Sequence, residues 1–214
     1  GSSAAVAVAT AKALYSFLDR ELTYNDLLEW VNVSEKIVHG SPSGIDAATI
    51  AGEKPLYYIK GQPFKPFELK LNAYLIVADT GLKGQTKAAV KGVREFIDSN
   101  PKIGKGLIKD LGNLTLQAKE FIKSNNIIDL GNAMTNAHHI LDKLGVSNNS
   151  LNHLVSVALK NSGLGAKLTG GGRGGCIIVL AANKAQSDYI SNKLIENGAQ
   201  TTWISNLGDE FNDI

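Results

Sequence analysis

At 214 residues, 43% of them hydrophobic, the chain can bury one large core or two small ones, which excludes disorder as the expectation. The net charge of +2 arises from 22 basic and 20 acidic residues mixed along the chain, so no electrostatic footprint for nucleic acid or a membrane surface is present, though a local site could hold a small anion. Cys176 is the single cysteine, which excludes an internal disulfide and fits a reducing compartment; the longest apolar run, Cys176 to Ala182, is far below the roughly 20 residues that span a bilayer, so a cytosolic protein is expected.

Gly1, Ser2 and Ser3 precede a small-residue, apolar stretch in which Val6, Ala9, Ala13 and Phe17 predict a helical stripe. Serine hydroxyls and free N–H groups at such a helix start can meet phosphate or a hydrated cation. The same tripeptide also reads as a plain N-cap or a remnant of expression. Thr23-Tyr24-Asn25-Asp26 resembles a capping box and opens a second helix that ends near His39, a residue more often a cap or packing group than a catalyst there. Ser41-Pro42-Ser43-Gly44 then predicts a tight turn, because proline fixes its own φ and glycine tolerates positive φ. Glu35 before this bend and Asp46 after it can be folded towards one point, an arrangement that suits a metal ion and a hydroxyl nucleophile. The plainer reading is two solvated acids beside a surface turn.

From Ala47 to Leu71 the pattern predicts short strands, with Pro55–Ile59 and Pro66–Leu69 forming a hairpin around Gly61-Gln62-Pro63. Leu71–Ala78 is nearly all apolar, as a strand buried on both faces would be, and a domain boundary is expected near residue 70. Lys83 and Thr86 fall in a polar loop after that strand, where ligand contacts concentrate, although a solvated connection is the favoured reading for Lys83. Helices are expected over Lys87–Ser99, Ile103–Ser124, Ile127–Leu144 and Ser150–Asn161. In the third, Ile127, Leu130, Met134, Ala137, Leu141 and Leu144 define a core face. His138 and His139 are sequence neighbours that diverge by about 100° on a helix, so they cannot both chelate one metal.

The stretch from Lys167 to Cys176 holds five glycines within six residues, Gly170, Gly171, Gly172, Gly174 and Gly175, between two strand-like runs. A hairpin needs only two loop residues, and the entropy of ordering five glycines is better explained by backbone N–H groups brought close to a ligand. The spacing is neither the Rossmann nor the Walker one and names no nucleotide by itself. Cys176 reads as a small apolar packing residue. A helix over Lys184–Asn197, a stop at Gly198 and a strand over Thr201–Ser205 complete the pattern.

Taken together, Gly1-Ser2-Ser3-Ala4-Ala5, Glu35 with Ser41-Pro42-Ser43-Gly44-Ile45-Asp46, and Lys167-Leu168-Thr169-Gly170-Gly171-Gly172-Arg173-Gly174-Gly175-Cys176 closely resemble the GHMP small-molecule kinases, in the same order and over essentially the whole chain. The main local departure is Arg173, where that family usually has a small residue. The resemblance implies an α+β fold, with residues 1–70 the remainder of a ribosomal-S5-like N-terminal domain and 71–214 a ferredoxin-like C-terminal domain with extra helices. It implies ATP-dependent transfer of the γ-phosphoryl group to the 5-hydroxyl of (R)-mevalonate, with Mg2+. Asp46 would be the catalytic aspartate and Ser3 and Glu35 the magnesium ligands. Gly1, Ser2, Ser3, Gly170, Gly171 and Gly172 would be the nucleotide-binding residues. Such chemistry asks for positioning and charge stabilisation, which a metal ion, a helix N-terminus and backbone donors supply.

The resemblance also implies an N-terminal segment that carries strands of the first domain, part of the substrate site and a lysine paired with the catalytic aspartate. The 214 residues are therefore expected to be a C-terminal portion, almost inactive alone and inclined to associate with a second copy or with the missing segment. Other acceptors within the family, phosphomevalonate or homoserine, and a non-catalytic ligand-binding module of the same fold are the alternatives.

Overall fold

The computed structural model describes residues 2–39, 44–52, 55–59, 61–69 and 71–208, apart from the side chains of Ser2, Val38 and His39. The Gly1 position and the expected turn at Ser41-Pro42-Ser43 lie outside the described residues. The chain falls into two units, one within residues 1–69 and one within 70–210.

The first unit is built on three helices, α1 (Ser2–Phe17), α2 (Tyr24–His39) and α3 (Ile45–Ala51), with a small hairpin of β1 (Leu56–Tyr57) and β2 (Lys65–Pro66). Alanine, the best helix former, fills much of α1. Thr23 caps α2: its Oγ1 accepts from the Asp26 N–H at 3.2 Å and donates to Asp26 Oδ2 at 2.6 Å. Ala4, Val8, Ala11, Leu27, Val31 and Ala47 are buried together where the helices meet. This corrects the expected stripe on α1. Val6 and Phe17 are 67% and 86% exposed, because a helix apolar on nearly every side does not reveal from its sequence which face will be covered. The helix α3 also stands where short strands were expected; seven residues are too few to show a 3.6-residue period. The hairpin strands are shorter than their apolar runs suggested.

In the second unit, β3 (Tyr74–Asp79), β4 (Gly165–Thr169), β5 (Cys176–Ala181) and β6 (Thr201–Asn206) form an antiparallel sheet in the order β4-β5-β3-β6. Its register pairs Thr169 with Cys176, Cys176 with Asp79, and Asp79 with Thr201. Helices α7 (Asn149–Lys160) and α8 (Lys184–Glu196) pack on one face, burying Ile76, Ala78, Leu168, Ile177 and Val179 against Leu151, Leu154, Ile190 and Leu194. The other face is only partly covered, so β3 is not buried on both sides as its composition suggested: Leu75 and Val77 are half-buried. Leu71 and Ala73 precede the strand and clasp its neighbour through Leu71 N–H to Leu207 O and Leu207 N–H to Ala73 O.

Helices α4 (Thr86–Ser99), α5 (Pro101–Lys123) and α6 (Ile127–Lys143) form a layer that ends on the outer edge of the sheet. Three helix starts in this unit use asparagine: Asn126, Asn148 and Asn183 each accept an amide of the first turn. The strand β4 would present unpaired amides, but α6 covers them. Ala166 N–H donates to Thr135 Oγ1 at 3.3 Å and Leu168 N–H to His138 Nδ1 at 3.2 Å. This approach requires Gly131 and Gly165, since a Cβ on either would collide with the other element's backbone. Among the described residues no helix is long and apolar enough to cross a membrane.

Candidate active site

The first unit joins two of the expected ligands. Ser3, in the first turn of α1, donates from Oγ to Glu35 Oε1 at 2.6 Å, although the residues are 32 apart in sequence. Glu35 lies one turn before the end of α2 and is only 3% exposed. Packing of α1 on α2 through Ala4, Val8 and Val31 sets this meeting. Asp46 is an exposed residue in the first turn of α3, entered through Gly44 at φ 78°, with Phe64 and Asn32 of the same unit beside that glycine. Ser2 begins α1, and Gly1 lies outside the described residues.

Along α1 and α2 runs an open, largely apolar groove of about 770 Å³, lined by Ser3, Val6, Thr10, Leu14 and Trp30 among others. Trp30 Nε1–H donates to Tyr15 OH at 3.0 Å within it. Among the described residues no group of three or more His, Cys, Asp or Glu is placed to hold a metal ion. A hydroxyl beside a carboxylate still suits Mg2+, a hard ion that takes one or two protein oxygens and completes its shell with phosphate oxygens and water.

The second unit carries the glycine turn, residues 170–175, between β4 and β5. Gly170, Gly172, Gly174 and Gly175 have positive φ, and so does Arg173 at 55°. Neighbouring chain crowds the turn: a Cβ on Gly171 would collide with Thr86 Oγ1, one on Gly172 with Val146 O, and one on Gly174 would lie 2.7 Å from Lys83 O. The amides of Gly175 and Arg173 are used internally, donating to Leu82 O at 2.6 Å and Val146 O at 2.8 Å, and Gln85 N–H donates to Gly172 O at 3.0 Å. Thr80 ties the base of the turn, donating to Gly175 O from both N–H and Oγ1. The amides of Gly170 and Gly171 make no hydrogen bond among the described residues. Thr86, which the sequence flagged only as a loop residue, thus packs directly on the turn, while Lys83 is exposed. The Gly145-Val146 contact was not foreseen, and nothing local in the sequence signals it.

His138 does structural work. Its Nδ1 accepts the Leu168 amide, so Nε2 carries the proton and donates to Asn152 Oδ1 at 3.1 Å; Ser147 and Asp142 complete the network around Asn152. Burial lowers the His138 pKa, against the raising influence of Asn152 and Asp142. Burial also lowers that of Lys167, whose Nζ donates to Leu168 O at 2.7 Å. The Cys176 thiol is raised by burial and by Asp79 across the ladder, which opposes thiolate chemistry and fits a packing role.

The first unit thus carries a half-buried hydroxyl beside a buried carboxylate near a helix start, and the second carries a glycine turn with two amides that make no hydrogen bond among the described residues. Family models described as GHMP kinases N terminal domain and GHMP kinases C terminal match residues 1–53 and 118–200. The chain belongs to the GHMP kinase family. Among its relatives, the mevalonate kinases of Pyrococcus abyssi and Pyrococcus horikoshii are 36% and 34% identical to it, matching 100% of this chain and 65% of theirs. The mevalonate kinase of methicillin-resistant Staphylococcus aureus is 36% identical with a TM-score of 0.73, covering 98% of this chain and 67% of that one. The L. major mevalonate kinase in complex with R-mevalonate superimposes with a TM-score of 0.88 at 29% identity, over 94% of this chain and 64% of that one. The chain spans about 65% of the length of the curated relatives it matches.

Proposed function

We propose that the whole protein transfers the γ-phosphoryl group of ATP to the 5-hydroxyl of mevalonate. The observation that carries this is the 2.6 Å hydrogen bond between Ser3 and Glu35, two residues far apart in sequence that the family resemblance assigns to one magnesium ion. In this reading Ser3 and Glu35 hold Mg2+, which when bound neutralises charge on the phosphate oxygens. The start of α1, with Gly1, Ser2 and Ser3, and the amides of Gly170, Gly171 and Gly172 bind ATP phosphates. Asp46 accepts or orients the proton of the attacking hydroxyl, a role worth about 10² to 10⁴ in rate. Mevalonate is favoured as acceptor by relatives bearing that substrate's name, one of them solved with R-mevalonate bound. The units are read as the remainder of a ribosomal-S5-like domain (1–70) and a ferredoxin-like domain (71–214), the latter supported by the antiparallel order β4-β5-β3-β6 with α7 and α8 on one face. A cytoplasmic location belongs to the same proposal.

The apolar groove on α1 and α2 supports association, with a second copy or with the N-terminal segment expected from the resemblance. An acceptor panel of mevalonate, phosphomevalonate and homoserine, assayed with ATP and Mg2+ on the full-length protein, tests the assignment. Turnover of mevalonate is expected; activity on homoserine alone, or on none, would end it.

A further inference from the structure

Arg173 is the one residue of the 170–175 turn that is not glycine, and it holds φ 55°, where a side chain crowds its own backbone. Its main chain and side chain grip the same neighbour. The backbone N–H donates to Val146 O at 2.8 Å and Nε–H donates to Gly145 O at 3.0 Å, both in the connection between α6 and α7. The tip of the side chain reaches α4. Nη2 occupies the space a Cβ on Gly92 would need, and Cζ lies 3.3 Å from that position. Helix α4 begins at Thr86, whose Oγ1 fills the space beside Gly171. It therefore meets the turn at two points, Thr86 and Gly92, about 9 Å apart along its axis at 1.5 Å rise per residue. No carboxylate pairs with the guanidinium among the described residues.

We propose that Arg173 is a positioning residue: its side chain braces the glycine turn against α4 and the 145–146 connection, holding the Gly170 and Gly171 amides in the arrangement that receives the nucleotide phosphates. The bracing is a property of the fold; its effect on nucleotide rests on the kinase reading above. The guanidinium acts through shape and the directed Nε bond. A lysine, with a point charge and no Nε–H fork, cannot replace it.

The test uses the full-length protein with R173G, R173K, G92A and the G92A/R173G double variant. Glycine accepts the positive φ, so R173G keeps the backbone path. Without nucleotide, hydrogen exchange at the Gly175 and Gln85 amides is expected to quicken about fivefold to tenfold in R173G, the equivalent of one lost hydrogen bond. The same is expected in G92A, which displaces the guanidinium, with no further change when both substitutions are combined. In kinetics, the KM for ATP rises by about the same factor in R173G and R173K while kcat and the acceptor KM hold, since phosphate-cradling amides bind ground and transition states alike. Unchanged exchange, multiplicative effects of the two substitutions, or full rescue by R173K would overturn the proposal. A protein with no kinase activity but coupled exchange effects would retain the brace and defeat only the kinase reading.

Discussion

Gly131→Ala tests how the outer edge of the sheet is held. A Cβ at Gly131 would lie 2.6 Å from the Leu164 carbonyl carbon and 3.1 Å from Gly165 N, so α6 must retreat by roughly 1 Å to reach ordinary contact distance. The bonds from Ala166 N–H to Thr135 Oγ1 (3.3 Å) and from Leu168 N–H to His138 Nδ1 (3.2 Å) have no slack for that. Each edge amide left unpaired costs about 1–3 kcal/mol, and overpacking adds about 1–3 kcal/mol. Alanine returns about 1 kcal/mol in helix propensity. A net loss of about 2 kcal/mol follows, taking the low end of each range for both amides and the overpacking. Urea unfolding followed by Trp203 in a Trp30→Phe background reads the second unit alone, because these are the only two tryptophans. Gly112→Ala in α5, where a Cβ meets nothing within 4 Å, is the control and should stabilise by up to about 1 kcal/mol. A Gly131→Ala loss under about 1 kcal/mol would refute the reasoning, since it would mean that α6 does not rest on β4 through this glycine.

The lowered pKa of buried His138 has a signed consequence. The unfolded chain takes up the proton first, so this residue's contribution is complete above its ordinary value of 6.5 and is lost as pH falls through the lowered folded value. Asp142, His139 and Lys167 are the charged neighbours that tune it. Stability measured from pH 8 downwards should show an acid-side slope that His138→Gln removes; an identical slope in the variant would contradict the assignment. In the full-length protein, Ser3→Ala and Glu35→Gln should raise the Mg2+ concentration needed for half-maximal activity by roughly 10- to 100-fold, and an unchanged Mg2+ titration would remove both from the metal site. Replacing Leu14 and Phe17 by glutamate should abolish self-association of the 214-residue chain in light scattering. Association that survives both charges would place the contact elsewhere.

Long amphipathic helices were legible because burial leaves a 3.6-residue period: Leu130 and Met134 of α6, and Leu144 just past its end, are buried as expected. Helix starts were legible where capping is local, as at Thr23. What escaped was set by tertiary contact. The covered face of α1 depends on α2 and α3, and the half-open face of β3 depends on which helices reach the sheet. In the site, the pairing of Ser3 with Glu35 was expected only through the family resemblance, since 32 residues separate them and spacing alone could not join them. The glycine excess pointed to close backbone approach. Part of that approach turns out to be the protein's own: Thr86, Val146 and Lys83 occupy the space beside three of those glycines. The amides of Gly170 and Gly171 make no hydrogen bond among the described residues, and it is these two that the proposed function assigns to a ligand.

The account stands most directly on Asp46. Single-turnover transfer of labelled γ-phosphate from ATP to mevalonate should be measured on the full-length protein and its Asp46→Asn variant. A fall in rate of about 10² to 10⁴ with ATP binding intact is the expected result. An unchanged rate would take the proton-accepting role away from this residue and the proposed chemistry with it.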